Sequence, residues 1–99
     1  MADFEWDPNE EESNIRERGI DFTTATLIWD GPIYETVDTL RDYGEIRIVA
    51  FGVVESVVLA VVYTWSGEAC RIVSARKADR RERRLYGEEI RNRGNTEPD

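Results

Sequence analysis

The chain has 99 residues, 40% of them hydrophobic and 34% charged, with a formal net charge of −8. That length suits one modest domain with an ionic surface, and an acidic chain repels nucleic acid at long range, so any RNA contact needs a local basic patch. A single cysteine and no histidine exclude an internal disulfide and a multi-cysteine zinc site, and they remove the commonest general base.

Phe4-Glu5-Trp6 alternates apolar and acidic residues and reads as a short strand, stopped by Asp7-Pro8. Asp7 is a natural N-cap with Pro8 at the first helical position, and the helix should run to Arg18 and stop at Gly19. The triplet Glu10-Glu11-Glu12 lies near the positive helix end. Its members point about 100° apart, so a solvated face is expected and a metal site is not. Phe22 to Trp29 has apolar residues at 22, 25, 28 and 29 and suggests a short amphipathic helix before the turn Asp30-Gly31-Pro32. The opening residues are acidic with no apolar stretch behind them, which argues against a secretory signal and for a cytoplasmic location.

Three or four strands should follow. Ile33 to Asp38 is weak; Gly44 to Phe51 is strong, with Ile46, Ile48 and Ala50 on one face and Glu45, Arg47 and Val49 on the other. Val57 to Thr64 is apolar on both faces and should be an inner strand; its run from Val57 to Tyr63 is far too short to span a bilayer. Trp65-Ser66-Gly67-Glu68 reads as a turn into a last strand, Ala69 to Ala75. From Arg76 onward a mostly polar helix ends at Arg93-Gly94. Residues 1–94 then form one domain and 95–99 a disordered tail. Such short connections make hairpins, so the expected class is α+β, an antiparallel sheet flanked by N-terminal and C-terminal helices.

Charge is unevenly placed. Residues 1–70 hold 4 basic and 15 acidic residues, a balance of −11, whereas residues 71–99 hold 9 basic and 6 acidic, a balance of +3. Between Arg71 and Arg84 there are seven cations and two anions. Arg76, Arg80 and Arg84 share a helical face and Lys77 aligns with Arg81. This stretch can bind an RNA backbone, or it can pair with the acidic half or with an acidic partner.

The residues also resemble the BrnT toxin family. The matching pieces are Phe4-Glu5-Trp6-Asp7, Asn14, Gly19-Ile20-Asp21-Phe22, Tyr43-Gly44-Glu45-x-Arg47, Val61-Val62-Tyr63-Thr64 and Arg71-Ile72-Val73-Ser74-Ala75-Arg76-Lys77-Ala78, followed by the basic helix from Arg80 to Tyr86. They cover residues 4–87 in order. The resemblance implies a RelE-like fold and a metal-independent ribonuclease that inhibits translation. It also implies neutralisation by a BrnA-like antitoxin in a heterotetramer around an antitoxin dimer, with operator DNA reached only through that antitoxin. It implies no cofactor. Family members commonly carry Lys and His where this chain has Glu17 and Arg18, and an arginine where it has Ser66. The changes at Glu17 and Ser66 lower positive potential and Arg18 removes an imidazole, so weakened cleavage is expected, and a homologue that acts mainly by binding antitoxin is the alternative.

Metal-free RNA cleavage needs a base for the 2′-hydroxyl proton and cations for the developing phosphate charge. Glu45, Arg47, Arg76 and Arg18 are the candidate catalytic residues; Arg18, always charged, cannot be the base. Glu45, Tyr63 and Tyr86 are the proton acceptors to consider. Arg71, Lys77, Arg80, Arg81, Arg84 and Tyr86 are the candidate RNA contacts. Strand alternation sets Arg71 and Arg76 on opposite faces, and only a bend brings both to one site. Arg47 and Glu45 equally fit a simple ion pair on a wet sheet face. Trp6 and Trp29 fit the core, Trp65 is the better base or partner contact, and Cys70 reads as a buried small hydrophobe.

Overall fold

A computed structural model describes residues 3–38 and 45–94. The tail 95–99 and the motif residues Tyr43 and Gly44 lie outside the described residues.

Strand β1, Asp3–Trp6, leads into helix α1, Pro8–Arg18. The Asp7 carboxylate accepts from the Asn9 amide at 2.8 Å, and Gly19, at φ 72°, donates its N–H to the Ile15 carbonyl at 2.8 Å. Both ends of the helix are therefore satisfied by the residues read as caps. Glu11 does more than face solvent. Its carboxylate accepts from Trp6 Nε1 at 3.2 Å and from the Phe22 amide at 2.9 Å, tying α1 to β1 and to the next helix.

The expected helix over 22–29 is two pieces, α2, Phe22–Thr26, and a 3₁₀ turn, Leu27–Asp30. Asp21 caps α2 through the Thr24 amide at 2.6 Å. The tighter turn sets Ile28 fully buried on the sheet, directly over Gly52. A Cβ at position 52 would stand 2.6 Å from the Ile28 Cβ, so only glycine allows this approach.

Strands β2 (Tyr34–Asp38), β3 (Arg47–Val54), β4 (Val57–Ser66) and β5 (Ala69–Lys77) complete a five-stranded sheet of order β1-β5-β4-β3-β2. β4 is central, as its two apolar faces predict. β3 starts three residues later than Gly44 and runs on to Val54, because its pairing with β4 continues to Val54↔Val57. Trp65 and Ser66 belong to β4, leaving Gly67-Glu68 as the turn.

The sheet is mixed, which corrects the expectation of an antiparallel one: β1 runs parallel to β5, from Asp3↔Ala69 to Trp6↔Ile72. Hairpin lengths fix the direction of β2 to β5 relative to one another. No short connection constrains β1, which docks on an edge some 65 residues away.

α1, α2 and the 3₁₀ turn cover one sheet face. Phe22, Ala25, Ile28, Val61 and Ile72 make its core, each at 0% exposure. Fully burying residues of the size of Ile28 or Ile72 contributes about 1.5–3 kcal/mol each. Helix α3, Arg80–Gly94, crosses the other face over Phe51, Ala60 and Ala78, with Tyr86 as its buried anchor. Its buried contacts lie toward the Arg76 end of that face, and among the described residues no helix packs on the opposite end. No helix among the described residues is long and apolar enough to cross a membrane.

Candidate RNA-binding sheet face

β4 and β5 fall out of register between Val62↔Ser74 and Tyr63↔Ile72, so Val73 is an extra residue on β5. A bulge of this kind reverses side-chain parity. Arg71 therefore pairs with Thr64 and Arg76 with Ala60, two β4 residues on the same face, and both arginines point to the α3 side. The bend that alternation alone could not supply is Val73.

Continuing the β3–β4 register one step past Ile48↔Tyr63 sets Arg47 opposite Thr64. Arg47 and Arg71 thus flank Thr64 on neighbouring strands, roughly 10 Å apart at the backbone by two strand spacings. Thr64 is buried between them, its hydroxyl donating to the Ile46 carbonyl at 2.7 Å. Ser66 lies two residues further along the same face. Across the strands the row reads Glu5, Arg71, Thr64, Arg47 and Asp38.

Each strand arginine already faces a carboxylate. Arg71 Nη1 stands 2.9 Å from Glu5 Oε2, and Arg47 Nε stands 3.2 Å from Glu45 Oε2. Arg76 donates through both terminal nitrogens to the two Glu82 oxygens, at 2.7 and 2.8 Å. Glu82 also accepts from the Asp79 amide, and Asp79 accepts from the Glu82 amide, closing a capping box at the start of α3. The hydrogen bonds from Arg76 hold the Glu82 carboxyl below its ordinary range, and Glu82 in turn raises Arg76. Arg76 thus anchors α3 by a bidentate pair. It stands about 13 Å along β4 from the Arg71 row, by four strand residues.

The other candidates separate. Arg18 is exposed at the end of α1, on the side where Gly19 and Lys77 border one depression. Lys77, Arg80, Arg81 and Arg84 are exposed, and among the described residues none of the four makes an ion pair. Arg81 and Leu85 border a groove with Thr36, Phe51, Asp79 and Glu82. Tyr86 is 7% exposed and its hydroxyl donates to the Pro32 carbonyl at 2.8 Å, so it holds α3 to the body and offers no free ring to a base. Burial raises its phenol above the ordinary value. Glu45 and Tyr86 both stand on the arginine side, but Tyr86 is buried and committed to the Pro32 carbonyl, which leaves Glu45 beside the row.

Tyr63 is on the opposite face, its hydroxyl donating to Glu35 in a short hydrogen bond. Burial first, and then the Glu35 carboxylate, push its ionisation far upward, so it is no base near neutrality. Burial and the same carboxylate push the Cys70 thiol up to about 12. Neither Glu5 nor Glu35 stood out in the sequence. Their alternation with Phe4 and Tyr34 was visible, but which partner each would meet was not.

A mixed five-stranded sheet, helix-packed on one face and partly open on an arginine-bearing other face, defines a small α+β protein with a polar working surface. The chain belongs to the BrnT family, described as ribonuclease toxins of type II toxin–antitoxin systems, whose family model matches residues 6–82. Its fold is similar to that of the Brucella abortus ribonuclease toxin BrnT, known from a crystal structure at 1.1 Å resolution. The two chains are 20% identical, with a TM-score of 0.60 over 81% of this chain and 100% of that one. No curated protein sequence matches the chain.

Proposed function

We propose that this toxin is a metal-independent endoribonuclease that inhibits translation in the cytoplasm and is neutralised by a BrnA-like antitoxin in a heterotetramer around an antitoxin dimer. Operator DNA would be met only through that antitoxin. The observation that most supports the cleavage reading is the placing of Arg47 and Arg71 on one row of the open face, with Glu45 beside Arg47. Two guanidinium forks either side of Thr64 suit the non-bridging oxygens of a phosphodiester. In this reading Glu45 takes the 2′-hydroxyl proton, and the 2′-oxygen attacks phosphorus. The bond to the 5′-oxygen breaks, and solvent on this open face protonates it. Arg81, Arg80 and Arg84 hold the flanking backbone with Arg76 at the far end, while Lys77 and Arg18 lie toward the helix-packed side and would meet only RNA that wraps the sheet edge.

A second reading, a weakened toxin that serves mainly as an antitoxin-binding protein in operon autoregulation, is favoured by the carboxylates. Glu5, Glu45 and Glu82 occupy the forks that a phosphate would need.

Cleavage of single-stranded RNA by the purified protein tests both. Arg47→Ala with Arg71→Ala should cut the rate about a hundredfold, the usual scale for losing donors at a developing charge. EDTA should leave the rate unchanged. An unaltered rate in the double variant places the site elsewhere, and loss of activity in EDTA refutes the metal-free mechanism. No cleavage by the parent favours the second reading.

A further inference from the structure

The face opposite the arginine row carries a second surface that RNA cleavage does not use. Phe4, Leu27, Trp29, Tyr63, Trp65 and Cys70 line a cavity of about 330 Å³ at the open end of the helix-packed face. Trp65 is 52% exposed and packs edge-on against Tyr63, which packs edge-on against Trp29. Leu27 in its lining is 45% exposed, and Val37 and Ile46, at the strands beyond Tyr63 and Trp65, are 58% and 71% exposed. Val37 pairs with Ile48, and Ile46 precedes Ile48 by two, so both side chains fall on this face by alternation. Large apolar side chains left this open and this close together mark an interaction site.

Asp30 lines the cavity and Glu35 reaches the Tyr63 hydroxyl beside it, while among the described residues none that lines it is a cation. A second copy docking cavity to cavity would bring like charge against like. A nucleic acid would be repelled. A cationic segment with an apolar side chain meets both features: the side chain fills the cavity, and a neighbouring lysine or arginine pairs with Asp30 or lies over the Trp65 ring.

We infer that this acid-rimmed aromatic cavity is where the antitoxin seats a basic, apolar-anchored segment, on the sheet face opposite Arg47 and Arg71. The inference rests on the antitoxin reading above and adds its seat and chemistry. It follows that antitoxin binding and RNA binding are separable by mutation, because the two surfaces share no side chain.

The test is co-expression of the toxin with a BrnA-type antitoxin, followed by co-purification and calorimetric titration. Trp65→Ala and Val37→Glu should each weaken the complex about 30-fold or more, the scale of an interface hot spot. Asp30→Lys should weaken it more than Asp30→Asn does, and added salt should weaken the parent complex. Arg47→Ala with Arg71→Ala should leave affinity within a few-fold of the parent. Thermal unfolding of each variant separates a lost contact from a lost fold, since Trp65, Val37 and Asp30 are all exposed. Full affinity in the folded Trp65 and Val37 variants overturns the seat, as does loss of affinity in the arginine variant alone. Tighter binding by Asp30→Lys overturns the charge assignment. A dimer of toxin alone that Trp65→Ala dissolves assigns the cavity to a second copy and overturns the proposal. No complex with the parent chain refutes the antitoxin reading itself, an outcome distinct from a complex that forms and ignores the cavity.

Discussion

Asn14 completes the edge of β5 as if it were a strand. Its side-chain Nδ2 donates to the Ala75 carbonyl at 2.9 Å, and its Oδ1 accepts from the Ala75 amide at 3.0 Å, 61 residues away in sequence. The same Nδ2 donates to the Ile20 carbonyl at 2.9 Å. β1 stops pairing at Ile72, and three residues on, the amide of α1 takes over both backbone groups. The residue is 7% exposed, so these groups have no recourse to water.

Replacing Asn14 by alanine therefore strands an amide and two carbonyls. Unsatisfied buried groups cost about 1–3 kcal/mol each, and partial relaxation should leave a net loss of about 2–4 kcal/mol. Asn14→Asp keeps the acceptor but sets a buried carboxylate against two carbonyl oxygens, so at neutral pH it should be at least as damaging as alanine. Urea unfolding of the three proteins checks the order; equal midpoints would mean that the edge bonds are made elsewhere.

Gly52→Ala should be more damaging than its size suggests. The new methyl would stand 2.6 Å from the Ile28 Cβ, 2.9 Å from Ile33 Cδ1 and 3.1 Å from the Ile28 carbonyl oxygen. Two of those atoms belong to the 3₁₀ turn itself and cannot swing aside. Overpacking at such a contact costs about 1–3 kcal/mol. The turn would lift from β3, and because Trp29 follows Ile28, tryptophan fluorescence should change along with the melting temperature.

The Arg76–Glu82 pair gives stability a pH dependence. Glu82 is held below its ordinary value of 4.5 when folded, chiefly by its hydrogen bonds from Arg76. A carboxyl lowered on folding stabilises above its unfolded pKa, and that stabilisation fades as pH falls through the folded one. The parent should thus lose stability relative to Glu82→Gln between roughly pH 5 and pH 3. Their difference should be constant above that window. Parallel unfolding curves at pH 7 and pH 3.5 would show that the pair carries no such linkage.

Restoring the residues that family members commonly carry should raise toxicity. Glu17→Lys exchanges an anion for a cation, Ser66→Arg adds a cation, and Arg18→His trades a fixed cation for an imidazole that can move a proton. Ser66 lies on the arginine face and Glu17 beside Val73 and Ser74 at its edge. Each well-placed donor is worth about 2.7–4 kcal/mol at a developing charge, so even a fraction should quicken cleavage tenfold or more. Growth arrest and RNA cleavage rate are the measurements. A triple variant no faster than the parent would mean that these positions do not face substrate.

What the sequence determined by itself was the local hydrogen bonding and the burial pattern. Asp7-Pro8 and Gly19 set the ends of α1 because caps are satisfied within a few residues of themselves. The apolar run from Val57 set the central strand because neither of its faces tolerates water. The glutamate and arginine at 45 and 47 were visible as a pair at two-residue spacing, and they are one.

What only the tertiary structure decided was every relationship that depends on a distant partner. Alternation put Arg71 and Arg76 on opposite faces; the register between β4 and β5 made Val73 a bulge and brought them together. Arg76 read as a free phosphate ligand until Glu82, one turn into α3, folded back on it. Tyr86 fitted an RNA contact or a proton acceptor until Pro32 was beneath its hydroxyl. β1 could have run either way along its neighbour, and the edge of β5 chose parallel. A strand's parity is a property of its pairing and not of its residues, so one extra residue against β4 reassigned the faces of half of β5.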